Sequence, residues 1–254
     1  MRVLAAGAGA KQKSKEDYNR IGMTATSEHP LPARLSGSPR LRRVDLAGSE
    51  GRLESVVNEG APDSPFAALV CHPHPKGGGT LHNKVVYHAM KALNAPEWGL
   101  GWPVMRFNFR GTGRSQGTYE GKAEAEDVLA GRAWLEKQYG LPVILVGFSF
   151  GAAMALRSLK LDGRGVRGVI ALGLPVRAEG REYHYSFLKG ISTPKLFVSG
   201  DGDEYAPPEA LQQVVAGAAD PKRLIFIPGA DHFFHGQLTP MQRALTGWLK
   251  EQVA

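Results

Sequence analysis

From residue 41 onward, short apolar runs alternate with longer stretches in which apolar residues recur every three or four positions. "RRVDLAG" and "RLESVVNEG" read as two short strands joined by a glycine-containing turn. "FAALVCH" (66–72), "PVMRFNF" (103–109), "PVILVGF" (142–148), "VRGVIALGL", "TPKLFVSGD" and "KRLIFIPGA" are strands apolar on both faces. Between them, "NKVVYHAMKAL" (83–93) has helical spacing behind Asn83, an N-cap residue, and "GKAEAEDVLAGRAWLEKQYG" (121–140) reads as an amphipathic helix stopped by Gly140 and Pro142. "GAAMALRSL", "PPEALQQVVAGA" and "TPMQRALTGWLKEQV" complete the helices. Two-sided apolar strands alternating with helices predict an α/β fold: a mostly parallel, twisted sheet of about eight strands with helices on both faces.

Residues 1–40 lack this periodicity and read as a basic, disordered leader ahead of one domain over 41–254, with Met23 as an alternative start. Charge supports the division. Residues 1–43 hold nine Lys/Arg against three acids, so +6 of the formal +7 sits there and the body is nearly neutral. A basic leader is not a basic folded face, so no nucleic-acid partner is expected. No apolar run reaches the roughly 18 residues of a membrane span, so no membrane partner is expected either. The lone cysteine, Cys71, excludes an internal disulfide and suits a reducing compartment, so a cytoplasmic location is expected. Cys71 itself reads as a small buried hydrophobe in a strand. Oligomeric state is not legible.

Candidate chemistry begins at Gly147-Phe148-Ser149-Phe150-Gly151, a G-x-S-x-G at a predicted strand-to-helix junction. A sharp turn there needs glycine on both sides and lifts the hydroxyl of Ser149 above the sheet, where the helix N-terminus favours developing negative charge. A serine hydroxyl needs a base, and the base needs an orienting acid. The strand end "SGDGDEYAPP" offers Asp201 and Asp203, and "PGADHFFHG" offers His232 with Asp231 beside it. Acyl transfer also needs two backbone N–H donors for the carbonyl oxygen. Phe150, directly after the serine, supplies one. The loop "PHPKGGGTLHN" supplies the other; Pro73 has no N–H, which makes the backbone of His74 the candidate. His72 and His74 also admit a metal reading, but convergent further ligands are missing from the pattern, so neither metal nor cofactor is expected.

In order along the chain, these segments resemble the α/β-hydrolase superfamily, in particular its small lidless bacterial serine hydrolases with an H-P-H-P loop, related to the prolyl-peptidase and dienelactone-hydrolase-like group. "CHPHPKGG" matches the oxyanion loop, "FNFRGTGRSQG" matches a D-x-R-G-x-G-x-S segment with Asn108 in place of Asp, and "GFSFG" matches the nucleophile turn. The resemblance selects Asp203 in "GDGDEYAPP" as the acid and His232 in "GADHFF" as the base. Dienelactone hydrolases differ at the nucleophile, which there is usually cysteine. Lidded relatives carry a cap after the sixth strand, whereas residues 175–193 are too few for one, which implies an open, shallow site with no cap domain. Tyr183, His184, Tyr185 and Phe187 in that stretch form either a wall of the site or the anchor of a surface loop.

The resemblance implies a serine hydrolase acting on a small-molecule acyl substrate: small carboxylic esters, or else amides or thioesters, through an acyl-enzyme on Ser149. An acyltransferase with the same Ser149–Asp203–His232 set is an alternative, as is a non-catalytic binding module on the same fold.

Overall fold

The computed structural model describes residues 41–178 and 181–252; the expected leader lies outside them. The first strands, β1 (Leu41–Gly48) and β2 (Gly51–Asn58), form an antiparallel hairpin. β3 (Ala67–Cys71) leads to α1 (Lys84–Asn94), whose first turn is held by the Asn83 side chain accepting from the N–H groups of Val85 and Val86. β4 (Val104–Phe107) precedes α2 (Glu124–Tyr139), and β5 (Val143–Phe148) runs into α3 (Phe150–Leu161). β6 (Val166–Leu172) is followed by a two-stranded hairpin, β7 (Arg177–Ala178) and β8 (Arg181–Glu182). β9 (Lys195–Gly200), α4 (Pro208–Ala216), β10 (Lys222–Ile227) and α5 (Leu238–Gln252) close the domain.

The main sheet has eight strands in the order β1-β2-β4-β3-β5-β6-β9-β10. β2 pairs antiparallel with both neighbours, and every pair from β4 to β10 is parallel. Strand periodicity sorts the core into two layers. Val143 and Leu145 of β5 join Leu69 and Cys71 of β3 in a cluster with Val128 of α2, Met154 and Leu156 of α3 and Leu211 of α4. Ile144, Val146 and Phe148 turn the other way, to Val86 and Leu93 of α1 and Leu245 and Trp248 of α5. Helices therefore cover both faces, and burying each large aliphatic or aromatic side chain contributes about 1.5–3 kcal/mol.

α2 begins at Glu124, three residues after the sequence pattern starts it, and its inward face is not purely apolar: Glu124, Asp127 and Arg132 are buried. Asp127 meets Arg110, which is only 1% exposed and also bonds Glu50 and Glu126, tying the loop after β4 to α2 and the β1–β2 turn. Asn108 fastens the same loop by accepting from Leu81 N–H and donating to Glu54. Between β6 and β9 the described residues hold the small hairpin and one 3-10 turn, Ser186–Gly190. No helix among the described residues is long and apolar enough to cross a membrane.

Candidate active site

The carboxyl ends of β3, β5, β6, β9 and β10 lie side by side in the sheet, and the predicted site residues follow them. Ser149 sits between the last residue of β5 and the first of α3 with φ 54° and ψ −119°, a conformation that side chains rarely adopt. Its neighbours explain why the turn can be so tight. A Cβ on Gly147 would overlap the backbone of Gly151 and Ala152, and one on Gly151 would overlap the carbonyls of Cys71 and His72 at the end of β3. Strand and helix approach to backbone contact, and the hydroxyl is thrust out of the sheet.

His232, in the turn after β10, comes to Ser149: its Nε2 lies 3.0 Å from Oγ. Its Nδ1 lies 2.9 and 3.0 Å from the two carboxylate oxygens of Asp203, in the loop after β9. With Nδ1 facing a carboxylate, the ring carries its proton there, and Nε2 is left to accept from the serine. Asp203 is buried and is itself fixed by Ser199 Oγ and by the N–H groups of Tyr205 and Ala206. The two competing acids are engaged elsewhere. Asp201 accepts from Gly229 N–H, and Asp231 accepts from the N–H groups of Phe233 and His235 and from the His235 ring. Close approach also matters behind the imidazole: a Cβ on Gly173 (φ 51°) would lie 3.3 Å from the His232 ring.

A cleft of about 170 Å³ opens above Ser149, lined also by His74, Gly78, Gly79, Tyr205 and Phe233. The N–H of Phe150 belongs to the first turn of α3 and has no intrahelical acceptor. His74 is held from its carbonyl side, which accepts from Gly77 and Gly79 N–H, and among the described residues its own N–H has no acceptor. Of the two predicted donor residues, His74 lines this cleft, and Phe150 follows Ser149 directly in the chain. The His74 imidazole plays a different part: Nε2 bonds the Tyr119 hydroxyl at 2.6 Å and the ring stands edge-on to Phe150. Burial, with Arg181 and Lys76 nearby, lowers its pKa from 6.5 to about 4.

His72 pins two strand ends together. Its Nδ1 donates to Pro73 O and its Nε2 accepts from Phe109 N–H, and burial lowers its pKa from 6.5 to about 4. The two histidines therefore point to separate partners, and among the described residues no group of three or more His, Cys, Asp or Glu is arranged to hold a metal ion. Cys71 is fully buried, and burial pushes its thiol well above the usual range, so it offers no thiolate.

The stretch between β6 and β9 both anchors and walls. Tyr185 is buried with its hydroxyl donating to Pro175 O, and Tyr183 stacks on it to line the cleft. Ser199, Tyr119 and Arg181 are the site neighbours that sequence reasoning missed. None stands in a recognisable pattern, since each reaches the site through the fold alone.

A hydroxyl on a strained strand-to-helix turn, an imidazole within reach of it and a buried carboxylate behind the imidazole, all at the carboxyl edge of one parallel sheet, define the class of α/β hydrolases. Comparison with known proteins agrees. The family model described as "Alpha/beta hydrolase domain" matches residues 68–245, and the chain belongs to that family. An uncharacterized protein of Rickettsia prowazekii is 33% identical over 216 residues, 82% of this chain and 88% of the relative. Among solved structures, an α/β serine hydrolase without lid from Xanthomonas campestris is 31% identical with a TM-score of 0.72, covering 85% of this chain and 96% of that one. An α/β serine hydrolase homologue from Coxiella burnetii is 35% identical with a TM-score of 0.73, covering 82% and 97%. The domain is thus a small, lidless member of the α/β-hydrolase superfamily.

Proposed function

We propose that the protein is a serine esterase that cleaves small carboxylic esters through an acyl-enzyme on Ser149. The observation that carries this reading is the continuous path from Ser149 Oγ through His232 to Asp203. Ser149 Oγ attacks the acyl carbon while His232 Nε2 takes its proton. The carbonyl oxygen, now negative, faces the N–H groups of Phe150 and His74. Collapse expels the alcohol, which receives the proton from His232, and the acyl group stays on Ser149. Water then attacks with His232 again as base, releasing the acid and restoring the serine. Asp203 keeps the imidazole in the productive tautomer and stabilises its protonated form. The small cleft and the absence of a cap domain favour short acyl chains, because a methylene contributes about 0.8 kcal/mol only where it is buried. The buried thiol of Cys71 suits the cytoplasm, which we propose as the setting.

A fluorophosphonate probe followed by peptide mapping tests the reading. Ser149 is expected to be labelled in the native protein and Ser149→Ala to be inert, with hydrolysis of 4-nitrophenyl esters strongest between acetyl and hexanoyl. Folded protein that leaves Ser149 unlabelled and the esters intact would mark the domain as a binding module instead.

A further inference from the structure

Beside the cleft lies a second, larger depression of about 420 Å³, which the reaction described above does not use. His74, Arg181 and Tyr183 line both, so the two share a wall. Its floor is apolar. Phe150, Ala153 and Met154 present one face of α3, with Tyr183 and Phe187 opposite. Its rim is cationic: Lys76, Lys122, Arg157 and Arg181 stand against one carboxylate, Glu120, among the described lining residues. Glu120 stands beside Glu50, and the neighbouring carboxylate raises its pKa. None of the four cations has an ion-pair partner among the described residues. Lys76 lies over the Tyr119 ring at 5.0 Å, which leaves its ammonium on the rim of the depression. Such a concentration of positive charge stands out on a body whose net charge is close to zero.

We propose that this depression is the substrate's anchoring site and that it takes an anionic group: the protein's preferred ester carries a carboxylate or similar anion on an apolar spacer. The spacer lies on the α3 face and the anion meets Arg157, Arg181 and the two lysines, while the ester carbonyl reaches Ser149 across the shared wall. Four like charges converging on one hollow raise the local concentration of an anion and, with it, the rate of productive encounter. The inference rests on the esterase reading for its turnover assay but not for its binding assay.

Two matched pairs of esters test it, one for each position of the anion. On the acyl side, 4-nitrophenyl hemiadipate is compared with 4-nitrophenyl hexanoate. On the alcohol side, 4-acetoxybenzoate is compared with 4-acetoxybenzamide. The readout is the ratio of kcat/KM, anionic over neutral, within each pair, so that a general loss of activity cancels. In one pair the ratio is expected to be roughly tenfold or more at low salt, to shrink as ionic strength rises, and to collapse in Arg157→Ala and Arg181→Ala. Charge reversal in Arg157→Glu should push it below one. Ratios near one in both pairs, with neutral esters turned over normally, overturn the proposal. Should no ester be turned over, the esterase reading falls, and calorimetric titration of the full-length protein with adipate and 4-hydroxybenzoate decides the anion site alone. Saturable, salt-sensitive binding that Arg157→Glu abolishes sustains it, and absence of binding overturns it.

Discussion

Ser199 Oγ lies 3.0 Å from Oδ2 of Asp203, the same oxygen that stands 2.9 Å from Nδ1 of His232. The acid behind the imidazole is thus braced by the strand that delivers it, and Asp201 and Asp231 have no comparable access. Asp203→Asn should lower kcat on a short ester by at least roughly 10², since replacing the acid of such a triad costs up to about 10⁴ in a serine protease. Asp201→Asn and Asp231→Asn should stay within about tenfold. Ser199→Ala leaves the carboxylate its backbone donors and should fall between. Steady-state kinetics on all four, with circular dichroism to confirm folding, checks the order; a crippled Asp201→Asn beside a near-normal Asp203→Asn would reverse the assignment.

Much of this was legible in the chain. Buried strands such as "AALVC" and "VILVGF" announce themselves because helices cover both faces, leaving no polar alternation to confuse the pattern. Ser149 stands out because it follows such a run directly, and His232 because it lies in the short turn after the last strand, β10. The choice of Asp203 over Asp201 came from family resemblance, because two acids in one loop look alike until the loop is folded. The β7–β8 hairpin was invisible, since strands of two residues carry no period. The Arg110–Asp127 pair was hidden for another reason: a charge on the inner face of α2 makes sense only beside a partner 17 positions earlier.

Stability should fall in mild acid, and His72 should account for part of it. Its pKa is about 4 in the folded protein against 6.5 ordinarily, lowered by burial. Above the unfolded value both states are neutral and nothing is lost. As pH drops through 6.5 toward 4 the unfolded chain takes up a proton that the fold refuses, so stability declines across that window. From pH 7 to about pH 5 the loss from this one group is on the order of 2 kcal/mol. His74 works in the same direction. Urea unfolding of wild type and His72→Gln at both pH values checks it. The variant should be weaker at pH 7 yet decline less; equal slopes would remove His72 from the account.

The strain at Ser149 should be measurable by removing the side chain in two ways. Ser149→Ala abolishes the hydroxyl but keeps a Cβ at φ 54°. Ser149→Gly abolishes both. An unfavourable backbone conformation of this kind costs of order 1–3 kcal/mol, and glycine gives back roughly 0.5–1 kcal/mol through its freer unfolded chain. Ser149→Gly should therefore be more stable than Ser149→Ala by about 1 kcal/mol in chemical denaturation, against the usual order of the two residues. If Ala is the more stable, the turn is not strained.

The proposed oxyanion donors are main-chain groups, and this gives an inverted expectation for the histidine loop. His74→Ala removes an imidazole that touches Phe150 and Tyr119 but leaves the N–H in place. Gly79→Ala removes no functional group. Its added Cβ, however, would run into the carbonyl of Pro73, the residue just before the donor, and Gly79 N–H is one of the two groups that hold the His74 carbonyl. The loop must shift, and a donor displaced from the developing oxyanion acts as a donor lost, a change that costs about 10²–10³ in kcat where it has been isolated. Gly79→Ala should approach that range while His74→Ala stays within about tenfold. Fluorophosphonate labelling checks the cause, because attack of Ser149 on phosphorus places developing negative charge on an oxygen that draws on the same donors. A folded Gly79→Ala protein with labelling slowed in proportion to kcat is expected. A His74→Ala protein that loses more than Gly79→Ala would place the contribution of this loop in the imidazole rather than in the backbone.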